Sequence, residues 1–299
     1  MENILVVLDG SDADDLALGQ AAELINFSQG KLHVLMTVYD QIEEMHKYVG
    51  FDNFKDVKQR ILDDAEKKLR LLTDRFNLNF SSSMAWGKRW SRPAVDKSKR
   101  MGGDLVIKVS GDQQSRISKI FRTPEDWNLL RDLKCPLWLV NNNRQPLDRV
   151  VVAVNALAES VEHRDLDQRV IEVGYNMARA LNLRLQLVTV MPDLSSMALA
   201  TAYVPPVPGQ AILWEDRGEE LSARCQEVLE SQAKALPTAA ETLVLSGRVD
   251  LDLELADLVG DSALLVLGSA AERGLAGKFI GDTAEKVLHY LATDLLIVH

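Results

Sequence analysis

The sequence predicts an α/β fold made of two tandem doubly wound units. Short continuous apolar runs alternate with helical segments, the same order of elements occurs twice, and 299 residues is about twice the length of one α/β domain. Strands that are apolar throughout, rather than at alternate positions, are typical of a parallel sheet covered on both faces. We therefore expect two parallel sheets with helices on either side.

The first unit shows this alternation from its first residues. Its predicted elements are strand Ile4–Leu8, a helix reaching Phe27, strand Leu32–Val38, an amphipathic helix, strand Asn79–Trp86, helix Ala94–Met101, strand Leu105–Val109, helix Pro124–Lys134 and strand Leu137–Val140. The amphipathic helix is indicated by apolar residues that recur every three or four positions, namely Val57, Ile61, Ala65, Leu69 and Leu72.

The second unit repeats this order. Its predicted elements are strand Val150–Val154, helix Asp167–Leu181, strand Leu185–Val190, helix Glu219–Ala235, strand Thr242–Leu245, helix Leu253–Val259, strand Leu264–Leu267, helix Thr283–Leu291 and strand Leu295–Val298. A constant offset of 158 residues carries Asp104–Val140 onto Ser262–Val298 without a gap. The chain is therefore predicted to be an internal duplication with units at 1–142 and 148–299, joined by a polar stretch containing Pro146.

The net charge of −10 is carried by the second unit. Residues 1–149 hold 23 Lys and Arg against 22 Asp and Glu, whereas residues 150–299 hold 11 against 22. The acidic unit lacks the basic face that general nucleic-acid binding needs. No apolar run approaches the roughly 20 residues of a membrane span, the amino-terminal segment is acidic where a signal peptide is basic, and only two cysteines occur. We expect a cytoplasmic protein that binds neither membrane nor nucleic acid in general.

A glycine pattern follows the predicted fourth strand of the second unit. Gly268-Ser269-Ala270-Ala271 is separated by nine residues from Gly281-Asp282-Thr283, which opens a predicted helix. This resembles the phosphate-binding segment of the universal stress protein family, G-x2-G-x9-G followed by Ser or Thr. The beginnings of the two units, Val6–Ser11 and Val152–Asn155, resemble that family's first strand, where an Asp contacts nucleotide in ATP-binding members. Asp9 and Asn155 stand at the position of this Asp. Together with the duplication, the resemblance covers essentially the whole chain.

The resemblance implies a fold, a pairing and a broad role. It implies five-stranded parallel sheets of order 3-2-1-4-5, the flavodoxin-like topology also seen in adenine nucleotide alpha hydrolases. It implies that the two units pack on each other as a dimer-like pair, and that the protein acts in stress response without a defined reaction. Further association into homo-oligomers is also compatible with it.

The nucleotide site that the resemblance implies in the second unit is degenerate. Its residues are Asn155, Val190, Gly268, Ser269, Ala271, Gly281, Asp282 and Thr283. Glycines let backbone N–H groups approach a phosphate, and the positive end of a helix attracts it. Asp282 weakens both effects, because Asp282-x-x-Glu285 reads as a capping box whose carboxylate accepts the same N–H groups and repels phosphate, with only partial compensation from Arg273 and Lys278.

The first unit departs further from the phosphate pattern. By the 158-residue offset, Ser110, Gln113 and Thr123 stand where the second unit has Gly268, Ala271 and Gly281. Thr123-Pro124-Glu125-Asp126 reads as a helix start with two acids, which makes a poor phosphate cradle. Asp9 is therefore expected to cap the turn into the first helix.

Other candidates have ordinary structural interpretations. The segment Trp86–Arg92 mixes aromatic and basic residues and can stack a base or clamp an anion; we favour pairing of its bases with the acidic second unit. Asp14-Asp15 and Asp63-Asp64 are expected to pair with bases on solvated helix faces. The five histidines and two cysteines lack metal-ligand spacing, and no motif for nucleophilic catalysis occurs.

The sequence therefore favours a non-enzymatic protein that acts by binding, and two alternatives stay open. In one, the second unit binds ATP and acts as a nucleotide-responsive switch, with Pro192–Trp214 as a lid. In the other, the crevice under that segment holds an apolar small molecule. The residues that would line it are Met197, Leu199, Tyr203, Val204, Val207 and Ile212. Pro192–Trp214, which is rich in proline, is not expected to be regular helix, and packing of this loop on the other unit would explain it equally well.

Overall fold

Two compact units make up the chain, one holding strands β1–β5 and the other β6–β10. The computed structural model describes residues 1–50, 52–76, 78–110, 124–141, 145–192, 194, 210–247, 255, 257–269 and 293–299. The elements of the first unit are β1 (Asn3–Leu8), α1 (Asp14–Ser28), β2 (Lys31–Val38), α2 (Ile42–Val49), α3 (Phe54–Phe76), β3 (Phe80–Trp86), α4 (Ser91–Met101), β4 (Leu105–Ser110), α5 (Pro124–Asp132) and β5 (Leu137–Asn141).

The second unit has the same plan. Its elements are β6 (Arg149–Ala153), α6 (Val161–Ala180), β7 (Arg184–Pro192), α7 (Gln210–Lys234), β8 (Glu241–Gly247), β9 (Ala263–Gly268) and β10 (Asp294–Val298). The strands lie in the order β3-β2-β1-β4-β5 in the first unit and β8-β7-β6-β9-β10 in the second. All neighbouring pairs within each unit are parallel. The predicted order 3-2-1-4-5 is confirmed in both units.

The central strands form the core of each unit. Ile4–Leu8 of β1 and Val150–Val152 of β6 are buried, as are the neighbouring strands β4 and β9 over most of their length. The outer strand β3 is less enclosed and carries three serines. Continuous apolar sequence thus marks the strands that are covered on both faces.

The helix starts differ most from the sequence prediction. α6 begins at Val161, six residues before the predicted Asp167, because Ser160 caps it: the Ser160 Oγ accepts the N–H of His163 at 3.1 Å. α7 begins at Gln210, so the expectation that Pro192–Trp214 avoids regular helix is wrong for its last five residues. The prolines of this segment all precede Gln210 in the sequence, so none falls within the helix.

A short helix was missed entirely. α2 has only eight residues, and none of its described side chains is buried. Two helical turns are too short for its apolar residues to form a recognisable repeat. Its start is marked only by Asp40, whose carboxylate accepts the N–H of Ile42 at 2.8 Å.

The polar stretch between the units is hydrogen-bonded to the loop before β9. The N–H groups of Gln145 and Asp148 donate to the carbonyls of Asp261 and Ser262, at 2.9 and 2.8 Å. The predicted domain boundaries stay predictions.

Gly174 in α6 offers a test of how closely this helix approaches the sheet. A methyl group added at Gly174 would collide with the side chain of Val152 in β6. We expect Gly174→Ala to lower the free energy of unfolding by roughly 1–3 kcal/mol, because the helix must move away from a buried strand. The midpoint of urea unfolding measures this change.

Gly218 in α7 is the matched control, because an added methyl group there meets no atom within 4 Å. Gly218→Ala should raise stability by about 0.5–1 kcal/mol, the usual gain for this change in a helix interior. Equal effects of the two substitutions would contradict the close packing of α6 on β6.

Candidate functional site

The candidate site lies at the carboxyl ends of the strands in the second unit. Ala153 pairs with Val188, and Val152 pairs with Val266, so the ends of β6, β7 and β9 lie at one edge of the sheet. The strand order reverses between β6 and β9, which is where ligands bind in doubly wound folds.

Half of the predicted nucleotide site lies in the described residues. Asn155, Val190, Gly268 and Ser269 are described and belong to these strand ends. The other predicted site residues, Ala271, Gly281, Asp282 and Thr283, lie outside the described residues, as do Arg273, Lys278 and the predicted lining residues 197–207.

The turn after β6 uses its own hydrogen-bonding groups. The Asn155 side-chain oxygen accepts the N–H of Leu157 at 3.1 Å, which closes an Asx turn. The Asn155 N–H points to both carboxylate oxygens of Asp167 at 3.3 Å. The next N–H, from Ala156, donates to the hydroxyl of Thr189 at 3.2 Å. Two consecutive amides at the crevice therefore have acceptors within the protein.

Gly268 is required by helix packing. A Cβ atom at this position would lie 2.9 Å from the Leu166 side chain and 3.2 Å from that of Val170, both in α6. The following N–H, that of Ser269, donates to the carbonyl of Val298 at 2.7 Å. The glycine thus allows α6 to approach β9, and the adjacent amide is directed at β10.

The first unit has an equivalent turn. The Asp9 carboxylate accepts the N–H of Ser11 at 3.1 Å, which is the capping role expected for Asp9. The N–H groups of Asp9 and Gly10 donate to the two carboxylate oxygens of Asp14, at 3.2 and 2.8 Å. Asp14 therefore holds the turn of the first unit as Asp167 holds that of the second.

Asp14 corrects a sequence-based expectation. Its neighbour Asp15 lies on the solvated face and pairs with Arg75 at 2.7 Å, as expected. Asp14, in contrast, is only 1% exposed. Burial, followed by repulsion from Asp9, raises the pKa of the Asp14 carboxyl to about 7. Burial also raises the pKa of Asp167, to about 6.

Charged residues fill the end of β4 in the first unit. The ammonium of Lys108 lies 3.6 Å from the Asp126 carboxylate, 5.0 Å from the centroid of the Trp90 ring, and 2.9 Å from the carbonyl of Val109. Glu125 accepts the N–H and the hydroxyl of Ser91, at 3.2 and 2.6 Å. Both acids at the start of α5 thus have protein partners.

The segment Trp86–Arg92 also contacts α2 of its own unit. Trp86 donates its indole N–H to Glu43 at 2.8 Å, and the ammonium of Lys88 lies 2.5 Å from the carboxylate of Glu44. The expectation that its bases pair with the acidic second unit is wrong for Lys88. Glu43 and Glu44 could not be identified as partners from the sequence, because the helix α2 that carries them was not predicted.

The described residues were compared with the requirements of a metal site and of a membrane-spanning helix. Among them, no three His, Cys, Asp or Glu side chains are grouped so as to hold a metal ion. No helix in the described part of the chain combines the length and hydrophobicity of a membrane span. Cys135 and Cys225 are buried free thiols.

Comparison with known proteins agrees with this architecture. The universal stress protein E homolog of Haemophilus influenzae is 26% identical, over 99% of this chain and 96% of its own. Universal stress protein E of Escherichia coli K12 is also 26% identical, over 99% of this chain and 93% of its own. A solved structure of a functionally unknown protein from Pseudomonas aeruginosa PAO1 has the same fold, with a TM-score of 0.67 and 22% identity over 100% of this chain and 92% of that one.

The sequence profile of the universal stress protein family matches this chain twice, at residues 1–141 and 146–299. The first match contains the turn that begins at Asp9, and the second contains the turn that begins at Asn155. The chain therefore belongs to the universal stress protein family, as a tandem member with two copies of the family's domain.

Proposed function

We propose that this protein acts in stress response by binding rather than by catalysis, and that the nucleotide site of its second unit is degenerate. The observation that carries the proposal is the occupation of strand-end amides by acceptors of the protein itself. Gly10 donates to Asp14, Asn155 to Asp167, and Ser269 to the Val298 carbonyl.

Occupied amides oppose phosphate binding for an energetic reason. A phosphate that takes an N–H group must displace its acceptor, and a buried acceptor left without a donor costs about 1–3 kcal/mol, or more if it is charged. Asp167, whose pKa of about 6 leaves it mostly ionised at neutral pH, also places negative charge beside the turn of the second unit, which repels a polyphosphate. The capping interaction predicted for Asp282 would add to both effects in the second unit.

The alternative of an ATP-responsive switch is supported by the spacing from Gly268 to Gly281 alone. The described half of the site argues against it. Helix packing alone requires a glycine at position 268, because a Cβ atom there would come too close to Leu166 and Val170. The proposal includes the dimer-like pairing of the two units, which rests on the family resemblance. It places the protein in the cytoplasm, and two free buried thiols fit a reducing compartment.

Titration calorimetry with Mg-ATP tests the degenerate site. We expect no binding heat at millimolar ATP from the full chain, because the amides are occupied and acids surround them. The double variant Asn155→Asp with Asp282→Ser restores the family pattern at two positions and should gain measurable affinity. Micromolar binding by the unaltered chain would contradict the proposal, and turnover of ATP at an ordinary enzymatic rate would contradict its non-catalytic part.

The buried carboxylate of Asp14 predicts a pH dependence of stability. Its pKa is raised from 3.8 to about 7 on folding, so the folded state binds more protons than the unfolded state between those values. The free energy of unfolding should therefore fall as pH rises from about 4 to 7, by an amount on the order of a few kcal/mol from this group.

Asp14→Asn should remove this part of the pH dependence, which urea unfolding at a series of pH values measures. Asp15→Asn is the matched control, because Asp15 is a partly exposed neighbour that pairs with Arg75 on the helix surface. If the Asp14 variant kept the full slope, the carboxylate would not be titrating as its burial requires.

A further inference from the structure

A groove in the first unit has no part in the nucleotide site. It has a volume of about 430 Å³ and is lined by Tyr39, Gln41, Glu44, Met45, Tyr48 and Lys88. It lies at α2 and beyond the carboxyl ends of β2 and β3, which are the outer strands on one side of this unit's sheet. None of its lining residues belongs to the turn that Asp9 and Asp14 form beside the reversal of strand order between β1 and β4.

Three of the residues that line the groove carry large hydrophobic side chains at exposed positions. Six large hydrophobic side chains are exposed in the described part of the chain, and three of them line this groove: Tyr39, Met45 and Tyr48, at 41%, 52% and 88% exposure. Aromatic rings and a thioether offer a flat, polarisable surface that suits another aromatic ring. The volume is that of a small-molecule site rather than a protein interface.

Helix α2, which supplies one wall, is anchored on its other side. Glu43 accepts the indole N–H of Trp86 at 2.8 Å, and the ring of His46 stacks on Phe54 with a centroid distance of 4.2 Å and an angle of 5°. Glu43 and His46 thus attach the helix to β3 and α3. Glu44, Met45 and Tyr48 are left to face the groove, which is therefore formed before any ligand binds.

The charges in the groove are of both signs. The Lys88 ammonium lies 2.5 Å from the Glu44 carboxylate, with the two side chains 55% and 45% exposed, and 5.1 Å from the centroid of the Tyr39 ring. An exposed ion pair of this kind is weak and can share its charges with a ligand. A ligand with one charge is attracted by one member and repelled by the other, whereas a zwitterion satisfies both.

We propose that this groove binds a free aromatic amino acid, with its ring against Tyr39, Met45 and Tyr48, its carboxylate on Lys88 and its ammonium on Glu44. An aromatic amino acid carries both charges beside one ring, which matches the arrangement of the walls. The Gln41 amide supplies a further donor and acceptor at the same rim. The proposal does not depend on the nucleotide site.

Titration calorimetry of the full chain with L-tryptophan tests the proposal against two analogues. Tryptamine lacks the carboxylate, and indole-3-propionate lacks the ammonium. We expect L-tryptophan to bind at least about tenfold more tightly than either analogue. No heat with L-tryptophan at millimolar concentration would overturn the proposal, and so would equal affinity for all three compounds, since the ion pair would then contribute nothing.

Charge variants provide a sharper readout. Lys88→Gln should weaken L-tryptophan by at least about tenfold and strengthen tryptamine, because Glu44 is then free to bind a cation. Glu44→Gln should instead strengthen indole-3-propionate. A loss of all three ligands in both variants would show that the ion pair only shapes the groove, which overturns its role in recognition.

Tyr48→Ser removes an aromatic wall at a position that is 88% exposed, so the substitution removes little buried surface from the folded chain. It should weaken L-tryptophan by about tenfold. The matched control is Leu71→Ser in α3, which alters a side chain of 69% exposure in the same unit that does not line the groove. Equal losses in the two variants would place the ligand elsewhere.

Discussion

The hydrogen bonds between two helical carboxylates, buried Asp14 and half-buried Asp167, and the strand-end amides are the contacts on which the rest of this structure depends. A parallel sheet covered on both faces leaves the amides just past its central strands without a ladder partner. Asp14 takes two of them in the first unit, and Asp167 takes one in the second. The same amides face the crevice in which a ligand of this fold would bind, so one set of contacts bears on both stability and function.

The two units reach this arrangement by different local sequence. Asp14 follows its turn residue Asp9 by 5 positions, and Asp167 follows Asn155 by 12. Threonines in β2 and β7 support the same edge, since Thr37 donates to the Leu8 carbonyl at 2.8 Å and Thr189 accepts the N–H of Ala156. The carboxylate therefore stands at a different spacing in each unit, while its contact with an amide of the turn is present in both.

Much of the fold could be predicted from the sequence, because continuous apolar runs such as Ile4–Leu8 and Val150–Val152 mark strands covered on both faces. The duplication followed from the same runs. The burial of Asp14 and the contact of half-buried Asp167 with the turn after β6 could not be predicted, since an acid in the first turns of a helix is usually a solvated cap. Helix α2, and with it the groove, was missed because eight residues hold too few helical turns to show a repeating apolar pattern. The direction of the Ser269 N–H depends on strand pairing, which local sequence does not encode.

Hydrogen exchange at single amides tests the central claim most directly. Gly10 is exposed, so its amide has no protection from burial and depends on the bond to Asp14. The account predicts slow exchange at Gly10 and Asn155 in the protein without ligand, and rapid exchange at Gly10 after Asp14→Asn. Exchange of both amides at the rate of an unstructured chain would contradict it, because these groups would then be available to a phosphate.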